Sequence, residues 1–350
     1  DTWFLKHKLT LGIRENATDD YDAGPTCFAA TPFENGIPFS QQPNVPYTNL
    51  AAGLTSPGYQ YAASIFRNSS IGDQIDLGKY FSVLAGISYA QIQAYSFNAS
   101  GSTTGNYNTG KFAPTAALLF KPVTWITTYF SYGASLQQGE IVNDPAATNN
   151  HAVLPPYPAK QYELGAKATV DNILYTLALF DVRQSNLYAI DNPDGTDTYV
   201  ESGLTESKGV EFSATGEIFK GFRVLGGFMF ADSQVKDDQA NPAFNGKVPT
   251  GAVRGLIKAT AEYDIPFVPG LTVTGGAYHN GQEYANGQNT ENVPGHTIFD
   301  LGLRYDTKLY DHDWIFRAYA NNVTNVAYWN SAGSTVGEGR RVMLTAQVKW

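Results

Sequence analysis

The chain has 350 residues but only one cysteine, Cys27, which excludes a disulfide framework and a cysteine-based metal site. Its five histidines are scattered and lack metal-ligand spacing, so no metal site is expected. Charged residues make up 16%, below the ~25% that is usual in soluble domains. There is no run of ~18 apolar residues, which excludes a transmembrane helix. A net charge of −9 argues against nucleic acid as a partner.

Aromatic residues, at 13%, and 34 glycines are abundant instead, and the C-terminal residues alternate strictly in polarity. Side chains of a strand point alternately to opposite faces, so the last ten residues form a strand with one apolar face. That face ends in a terminal aromatic, which is typical of outer-membrane barrels and serves there as an assembly signal. The residues of this signal are Leu344, Val348 and Trp350.

The same alternation recurs at residues 162–170, 222–230, 299–305 and 314–320, and each of these segments keeps its charged residues on one face. A charged side chain facing lipid near the bilayer midplane costs roughly 2–4 kcal/mol. This segregation therefore predicts an all-β fold, a transmembrane antiparallel β-barrel with a lipid-facing and a lumen-facing side.

Short and long connections alternate along the chain, which is typical of the short periplasmic turns and long extracellular loops of such barrels. Counting hairpins gives about 14 strands. Some strands, such as residues 173–190, are longer than a bilayer requires and should project above it. The glycine-rich residues 101–110 are interpreted as a mobile surface loop. The long connections are residues 17–59, 98–109, 138–159, 191–196, 236–245, 285–293 and 325–338.

Several motifs, in the same order along the chain, resemble those of TonB-dependent siderophore receptors. They are the Lys160–Lys167 strand (KQYELGAK), Glu206–Phe212 (ESKGVEF), Tyr263–Thr272, Pro294–Gly302 (PGHTIFDLG) and the ending from Asn321 to Arg341. Two departures are small. Arg340 replaces the proline that is usual in the last motif, and Trp350 stands where phenylalanine is commoner.

The resemblance implies that residues 1–350 are part of a barrel of 22 strands, with the N-terminal plug domain and the first barrel strands missing. It implies a receptor in the outer membrane of a Gram-negative bacterium that takes up a ferric siderophore, with iron present only within that chelate and no other cofactor. Coupling to TonB–ExbB–ExbD would use the missing N-terminus. Outer-membrane lipid and the barrel-assembly machinery are further expected partners, and no enzyme activity is expected.

Two groups of residues are candidates for function. Aromatic side chains near the barrel mouth could stack on a chelate, or could form the aromatic belt found at membrane interfaces. Charges on the inferred inner face could contact the plug or line an ionic path, or could be a hydrated wall of paired charges. The aromatic candidates are Tyr132, Tyr157, Tyr188, Tyr199, Tyr278 and Trp329, and the lumen-facing charges are Glu163, Lys167, Glu211, Arg304, Arg317 and Arg341.

Alternative interpretations remain open. Residues 191–197 have the oxygen spacing of a calcium loop but lack its distal glutamate, so an exposed turn is the better interpretation. A passive outer-membrane channel of about 14 strands is the main alternative function. An outer-membrane enzyme or an adhesin is a further alternative, although no catalytic signature is found.

Overall fold

The computed structural model describes residues 5–21, 59–139, 141–142, 144, 147–330 and 335–349. Cys27 and Trp350 lie outside the described residues. Within them, no helix is long and apolar enough to cross a membrane. The described chain is built almost entirely from antiparallel strands, with one 3-10 turn at Pro242–Phe244.

Fourteen long strands form the main sheet, and four two-residue strands lie within its longer connections. The strands are β1 (Leu5–Tyr21), β2 (Gln60–Leu77), β3 (Phe81–Phe97), β4 (Thr103–Val123), β5 (Ile126–Gln137), β6 (Tyr157–Val170), β7 (Ile173–Asp191), β8 (Asp197–Phe219), β9 (Phe222–Lys236), β10 (Gly255–Asp264), β11 (Leu271–Asn280), β12 (Glu283–Tyr284), β13 (Asn292–Val293), β14 (His296–Leu309), β15 (His312–Asn321), β16 (Trp329–Asn330), β17 (Thr335–Val336) and β18 (Arg341–Lys349).

Each long strand pairs antiparallel with the next long strand along the chain, from β1 through to β15 and β18. The predicted number of 14 strands is thereby confirmed. The short strands pair separately, β12 with β13 and β16 with β17. The turn between β14 and β15 shows why hairpins form here: Tyr310 and Asp311 both have positive φ, 53° and 61°, as a two-residue type I′ turn requires.

The connections alternate in length as the sequence predicts, with one exception. Residues 98–109 were expected to form a long loop, but β4 already begins at Thr103, so the predicted surface loop at residues 101–110 is wrong. The short connections are residues 78–80, 124–125, 171–172, 220–221, 265–270 and 310–311. The described residues of the connections at the opposite end, which we call the extracellular layer, are 59, 98–102, 138–139, 141–142, 144, 147–156, 192–196, 237–254, 281–295, 322–330 and 335–340.

The sheet has an apolar face and a polar face. Directly paired residues share a face, so Val348 lies beside Trp314, and Leu344 lies beside Ala318. Leu344 is 77% exposed and Leu303, on the same face of β14, is 50% exposed, although neither is polar. Aliphatic side chains exposed on a whole sheet face are explained by contact with lipid, and the polar face is the inner wall of the barrel.

Aromatic pairs mark two levels of the apolar face. Near the short turns lie Phe81 against Phe120 and Phe219 against Phe222, with ring centroids 4.9 Å apart in both pairs. Nearer the extracellular layer Tyr89 contacts Phe112 at 5.1 Å. The two levels are about 20 Å apart normal to the membrane, given ~3.3 Å per residue and a tilt of ~40°. That spacing approximates the ~25 Å apolar band of outer-membrane barrels.

One ionisable pair lies on the apolar face at a depth between the two aromatic levels. His7 of β1 and Asp73 of β2 have side chains on that face, since their partners there are Ile75 and Leu9. The Nδ1 atom of His7 lies 2.6 Å from an Asp73 carboxylate oxygen. Pairing reduces the cost of holding each group against lipid, because each supplies the other with a polar contact that lipid lacks.

Candidate functional site

The inner wall carries all six charged residues that the sequence suggests for the lumen. Glu163 and Lys167 of β6 and Glu211 of β8 lie on the polar face, since the apolar face of these strands is occupied by residues such as Leu164 and Phe212. The register also places Arg304, Arg317 and Arg341 on the polar face of β14, β15 and β18.

Glu163 is the centre of a polar cluster on this wall. The Tyr129 hydroxyl donates to one carboxylate oxygen of Glu163, and Gln161 donates to the other at 2.9 Å. The Lys167 ammonium lies 5.7 Å from the centroid of the Tyr129 ring. Gly165 allows this arrangement, because a Cβ at that position would collide with the ring. The cluster therefore holds a carboxylate with its donors already in place, open to a partner in the lumen.

Two arginines stand opposite each other farther along the wall. Arg304 and Arg317 are direct partners across β14 and β15. Arg304 is paired with Asp306 at 3.0 Å, whereas Arg317 donates to the neutral amide oxygen of Gln347 at 3.2 Å. Both line a cavity of about 310 Å³ together with Glu262 and Tyr319. Among the described residues, Arg317 thus has no carboxylate in ion-pair contact.

Asp300 joins two of the motifs recognised in the sequence. Its side chain is 5% exposed and accepts hydrogen bonds from the Asn322 backbone N–H at 2.8 Å and the Asn321 amide at 3.1 Å. The Tyr319 hydroxyl adds a third bond at 3.1 Å. Asn322 in turn donates to the backbone carbonyls of Val326 and Glu338. The aspartate of the PGHTIFDLG motif therefore anchors the turn that starts the last extracellular connection.

The six aromatic candidates do not converge on one site. Tyr132 lies on the apolar face, since it pairs with Tyr162 and packs on it with ring centroids 5.1 Å apart. It belongs to the upper aromatic level of the membrane surface, and we no longer count it as a ligand contact. Tyr278 is on the inner wall, 3.4 Å from the Thr260 hydroxyl, and lines a cavity of about 330 Å³ with Lys258 and Glu211.

Tyr188 and Tyr199 tie extracellular connections together. The Tyr199 hydroxyl donates to Asp144 at 3.2 Å. The backbone N–H of Tyr199 donates to the side-chain oxygen of Asn149, and the Asn149 amide nitrogen donates to the Tyr199 carbonyl. Tyr188 donates to Asp238 at 3.1 Å and packs edge-on against Phe244. Their hydroxyls therefore already have acceptors. Tyr157 opens β6 opposite Gln137, and Trp329 lies in the small β16–β17 pair.

Three polar side chains with buried oxygen atoms at the extracellular end of the barrel, those of Asp238, Glu201 and Tyr107, have no signal in the sequence. Asp238 is 1% exposed, and one of its oxygens accepts bonds from Tyr188, Ser202 and two backbone N–H groups. Glu201 lies about 45 Å along the membrane normal from the short turns, beyond the lipid. Burial raises the pKa of Glu201, and it raises that of Tyr107 to about 12, with the charge of Glu201 adding to the Tyr107 shift.

Residues 191–197 form the hairpin turn between β7 and β8. One Asp194 oxygen accepts from the backbone N–H and the hydroxyl of Thr196, at 3.1 and 2.6 Å. These bonds lower the pKa of Asp194. Across the described ranges, no cluster of three or more histidine, cysteine or acidic residues could hold a metal ion. The turn interpretation explains this segment better than a calcium loop does.

Comparison with known proteins identifies the family. The TonB dependent receptor-like β-barrel family matches residues 2–323. The chain belongs to this family. It therefore belongs to a β-barrel of the outer membrane of a Gram-negative bacterium, in a family of receptors and transporters.

Two curated relatives are the ferrichrome receptor FcuA of Yersinia enterocolitica, 27% identical, and the ferrioxamine B receptor of Salmonella typhimurium, 25% identical. The alignments cover 95% and 87% of this chain but only 43% and 42% of those proteins. The solved structure of BauA, the ferric preacinetobactin receptor of Acinetobacter baumannii, is 25% identical with a TM-score of 0.73, covering 99% of this chain and 52% of that one. The chain thus spans about half the length of the relatives that it matches.

Proposed function

We propose that this chain forms part of the barrel of an outer-membrane receptor that takes up a ferric siderophore. The observation that carries the proposal is the continuous sheet of 14 strands, with its lipid-facing apolar side, in a chain of the receptor family. The relatives named above are receptors for ferrichrome and ferrioxamine B, which supports a ferric chelate as the ligand. Iron would enter only as part of that chelate, and the barrel itself would catalyse no reaction.

In this proposal each part of the chain has its own task. The extracellular layer captures the chelate, and the inner wall offers charged groups to a plug. Glu163, with Tyr129 and Gln161 already donating to it, suits a cationic plug side chain, and Arg317 suits a carboxylate. Energy would come from TonB–ExbB–ExbD acting on the full-length protein. Tyr278 and Lys258 line a cavity of the inner wall and would contact the chelate as it passes.

Partners in the membrane follow from the apolar face. Its aliphatic and aromatic side chains would contact outer-membrane lipid. The apolar residues Leu344 and Val348 of β18, with the terminal Trp350 of the sequence, would be the signal that the barrel-assembly machinery recognises.

The test is to isolate the native product from outer membranes of iron-starved cells with an antibody against residues 138–156. A receptor predicts a protein of about twice the mass of this chain, induced by iron limitation and closed in planar-bilayer recordings. A product of about this chain's mass, indifferent to iron and conducting ions constantly, would instead show a passive channel.

A further inference from the structure

One glycine of the inner wall is not explained by its neighbours in the protein. A glycine inside a strand weakens that strand and usually marks a point where another group approaches closely. Gly165 follows this rule, because a Cβ there would collide with the Tyr129 ring, and Gly302 follows it beside Tyr319. Gly133 of β5 differs, since a Cβ there would meet no atom of the described chain within 4 Å. The space in front of Gly133 is therefore open to a group from elsewhere.

Gly133 lies at the point where two strands of the wall separate. The strands β4 and β5 are paired only as far as Thr115 and Gly133. The next residue of β4 is Pro114, which has no backbone N–H to donate to a neighbouring strand. Beyond this point Leu136, from the outer face of β5, packs against Ile92, from the inner face of β3. The end of β5 therefore lies on the lumen side of β3, and the inner wall is concave around Gly133.

This concave part of the wall forms a cavity of about 360 Å³, which we call the β5 pocket. Five side chains of the inner wall that line it carry hydroxyl or amide groups and no charge. Lys160 also borders the pocket, but it shares the outer face of β6 with Tyr162. The five uncharged polar residues are Thr115, Ser131, Ser135, Gln137 and Gln161.

Most of these polar groups are free to bind a ligand. Gln161 donates to Glu163 at 2.9 Å. Within the described part of the chain, the side chains of the other four residues form no hydrogen bond. Serine and threonine hydroxyls and glutamine amides can each both donate and accept hydrogen bonds. The β5 pocket is thus suited to a group that itself carries several uncharged donors and acceptors.

The β5 pocket opens towards the extracellular mouth. Tyr132, which precedes Gly133, belongs to the upper aromatic level on the outer face of the same strand. Ser135 and Gln137 lie about 5 and 10 Å higher along the membrane normal, given ~3.3 Å per residue and a tilt of ~40°. Tyr157 is opposite Gln137 on the inner wall, at the upper end of the pocket. A ligand that enters from outside therefore reaches this pocket before it reaches the midplane of the barrel.

We propose, on the basis of the proposed function, that the β5 pocket binds an uncharged arm of the ferric chelate. The arm carries several amide or hydroxyl groups, as a short peptide or a polyol does, and the iron centre stays outside the pocket. A cavity of about 360 Å³ has the volume of about 12 water molecules, which is sufficient for such an arm. Each hydrogen bond that the arm forms contributes about two- to tenfold to the affinity.

The test uses the full-length receptor, purified in a neutral detergent, and equilibrium binding of two iron chelates. One is ferrichrome, in which a peptide ring carries the hydroxamates. The other is ferric acetohydroxamate, which has the same type of iron centre but no peptide. We expect ferrichrome to bind more tightly than ferric acetohydroxamate by about tenfold or more.

A variant that fills the β5 pocket shows whether this pocket is the source of the difference. Gly133→Leu adds a side chain where the space is open, and it removes no hydrogen-bonding group. The matched control is Gly275→Leu on the lipid-facing side, where a Cβ would meet only Leu301, at 4.0 Å. Gly133→Leu should weaken ferrichrome binding by about tenfold and leave ferric acetohydroxamate binding unchanged, whereas Gly275→Leu should change neither.

The outcomes separate the inference from the proposed function. Unchanged ferrichrome binding in Gly133→Leu, or an equal loss for both chelates, would overturn the inference and leave the uptake function standing. A Gly133→Leu receptor that binds ferrichrome normally but is digested faster by protease would show that another part of the receptor fills the pocket, which also overturns the inference. If neither chelate binds to the wild-type receptor, the proposed function fails and the inference fails with it.

Discussion

The Tyr188 hydroxyl donates a 3.1 Å hydrogen bond to the buried carboxylate of Asp238, which joins the β7–β8 hairpin to the connection between β9 and β10. Ser202 of β8 adds a second bond to the same oxygen at 2.8 Å. Two hydrogen bonds between the side-chain amide of Asn289 and the backbone of Val248 link the β9–β10 connection to residues 281–295. The extracellular connections on this side of the barrel are thus held to one another and not only to their own strands.

Replacing Asp238 by alanine should loosen this part of the layer. Two hydroxyls and two backbone N–H groups would lose their acceptor, at a local cost of roughly 2–4 kcal/mol. Limited proteolysis of the intact receptor should then cleave residues 237–254 much faster. The exposed neighbour Gln239→Ala is the control and should leave the rate unchanged. Equal cleavage of both variants and wild type would show that Asp238 does not hold the connection.

Glu201 gives the layer a pH dependence whose sign is set by its environment. Burial raises the pKa of Glu201 above its usual value, so the folded layer binds a proton more tightly than the unfolded chain does. Its contribution to stability is therefore greatest at acid pH and declines as pH rises through the raised pKa. Glu201→Gln should slow proteolysis of the β7–β8 hairpin at pH ~7.5, and the advantage should disappear near pH ~4.

The control for this variant is on the same strand. Glu206 is paired with Arg183 at 2.9 Å and Lys208 at 3.0 Å near the surface. Glu206→Gln removes attractive pairs, so it should leave stability unchanged or lower it slightly. If Glu201→Gln also destabilised at neutral pH, burial would not be the dominant influence on this carboxyl group.

Two neighbouring alanines test which face of the sheet meets lipid. Ala116 shares the apolar face with Ala85 and Tyr132, whereas Ala117 lies on the polar face, at the same depth between the aromatic levels. Ala116→Arg should destabilise the folded barrel by roughly 2–4 kcal/mol in urea titrations in lipid bilayers, and Ala117→Arg should cost much less. Similar losses for both variants would contradict the assignment of the two faces.

The His7–Asp73 pair predicts non-additive effects. Asp73→Leu or His7→Leu alone leaves a polar group facing lipid without its partner 2.6 Å away. Each single variant should therefore reduce barrel stability, by on the order of 1–3 kcal/mol, while the double variant should recover most of the loss. Additive losses in the double-mutant cycle would show that the two side chains do not depend on each other.

Much of the barrel could be predicted from sequence because lipid enforces an alternation of polarity with a period of two. This constraint explains why the number of strands and the lumen-facing positions Glu163 and Arg304 could be deduced. Above the membrane the constraint ends. Residues 103–110 pair with β3 as part of β4, although their composition is typical of a loop. The charged side chains of Asp181 and Lys208 lie on the same face of the sheet as the lipid-facing residues of their strands.

The candidate ligand contacts were harder to predict because they depend on partners distant in sequence. The sequence suggested that Tyr132 lies at the barrel mouth, whereas its pairing with Tyr162 places it on the apolar face. The burial of Asp238 results from packing between separate parts of the chain, for which short sequence segments carry no signal. The motifs around Asp300 and Asn322 were visible in sequence, but their hydrogen bond across 22 residues was not.

The most direct test of the central claim is uptake of a radiolabelled ferric tris-hydroxamate by cells whose only receptor of this class is the full-length form of this protein. We predict accumulation in cells with TonB, and surface binding without accumulation in otherwise identical cells that lack TonB. Equal accumulation in both strains would contradict the account and would identify the barrel as a passive channel.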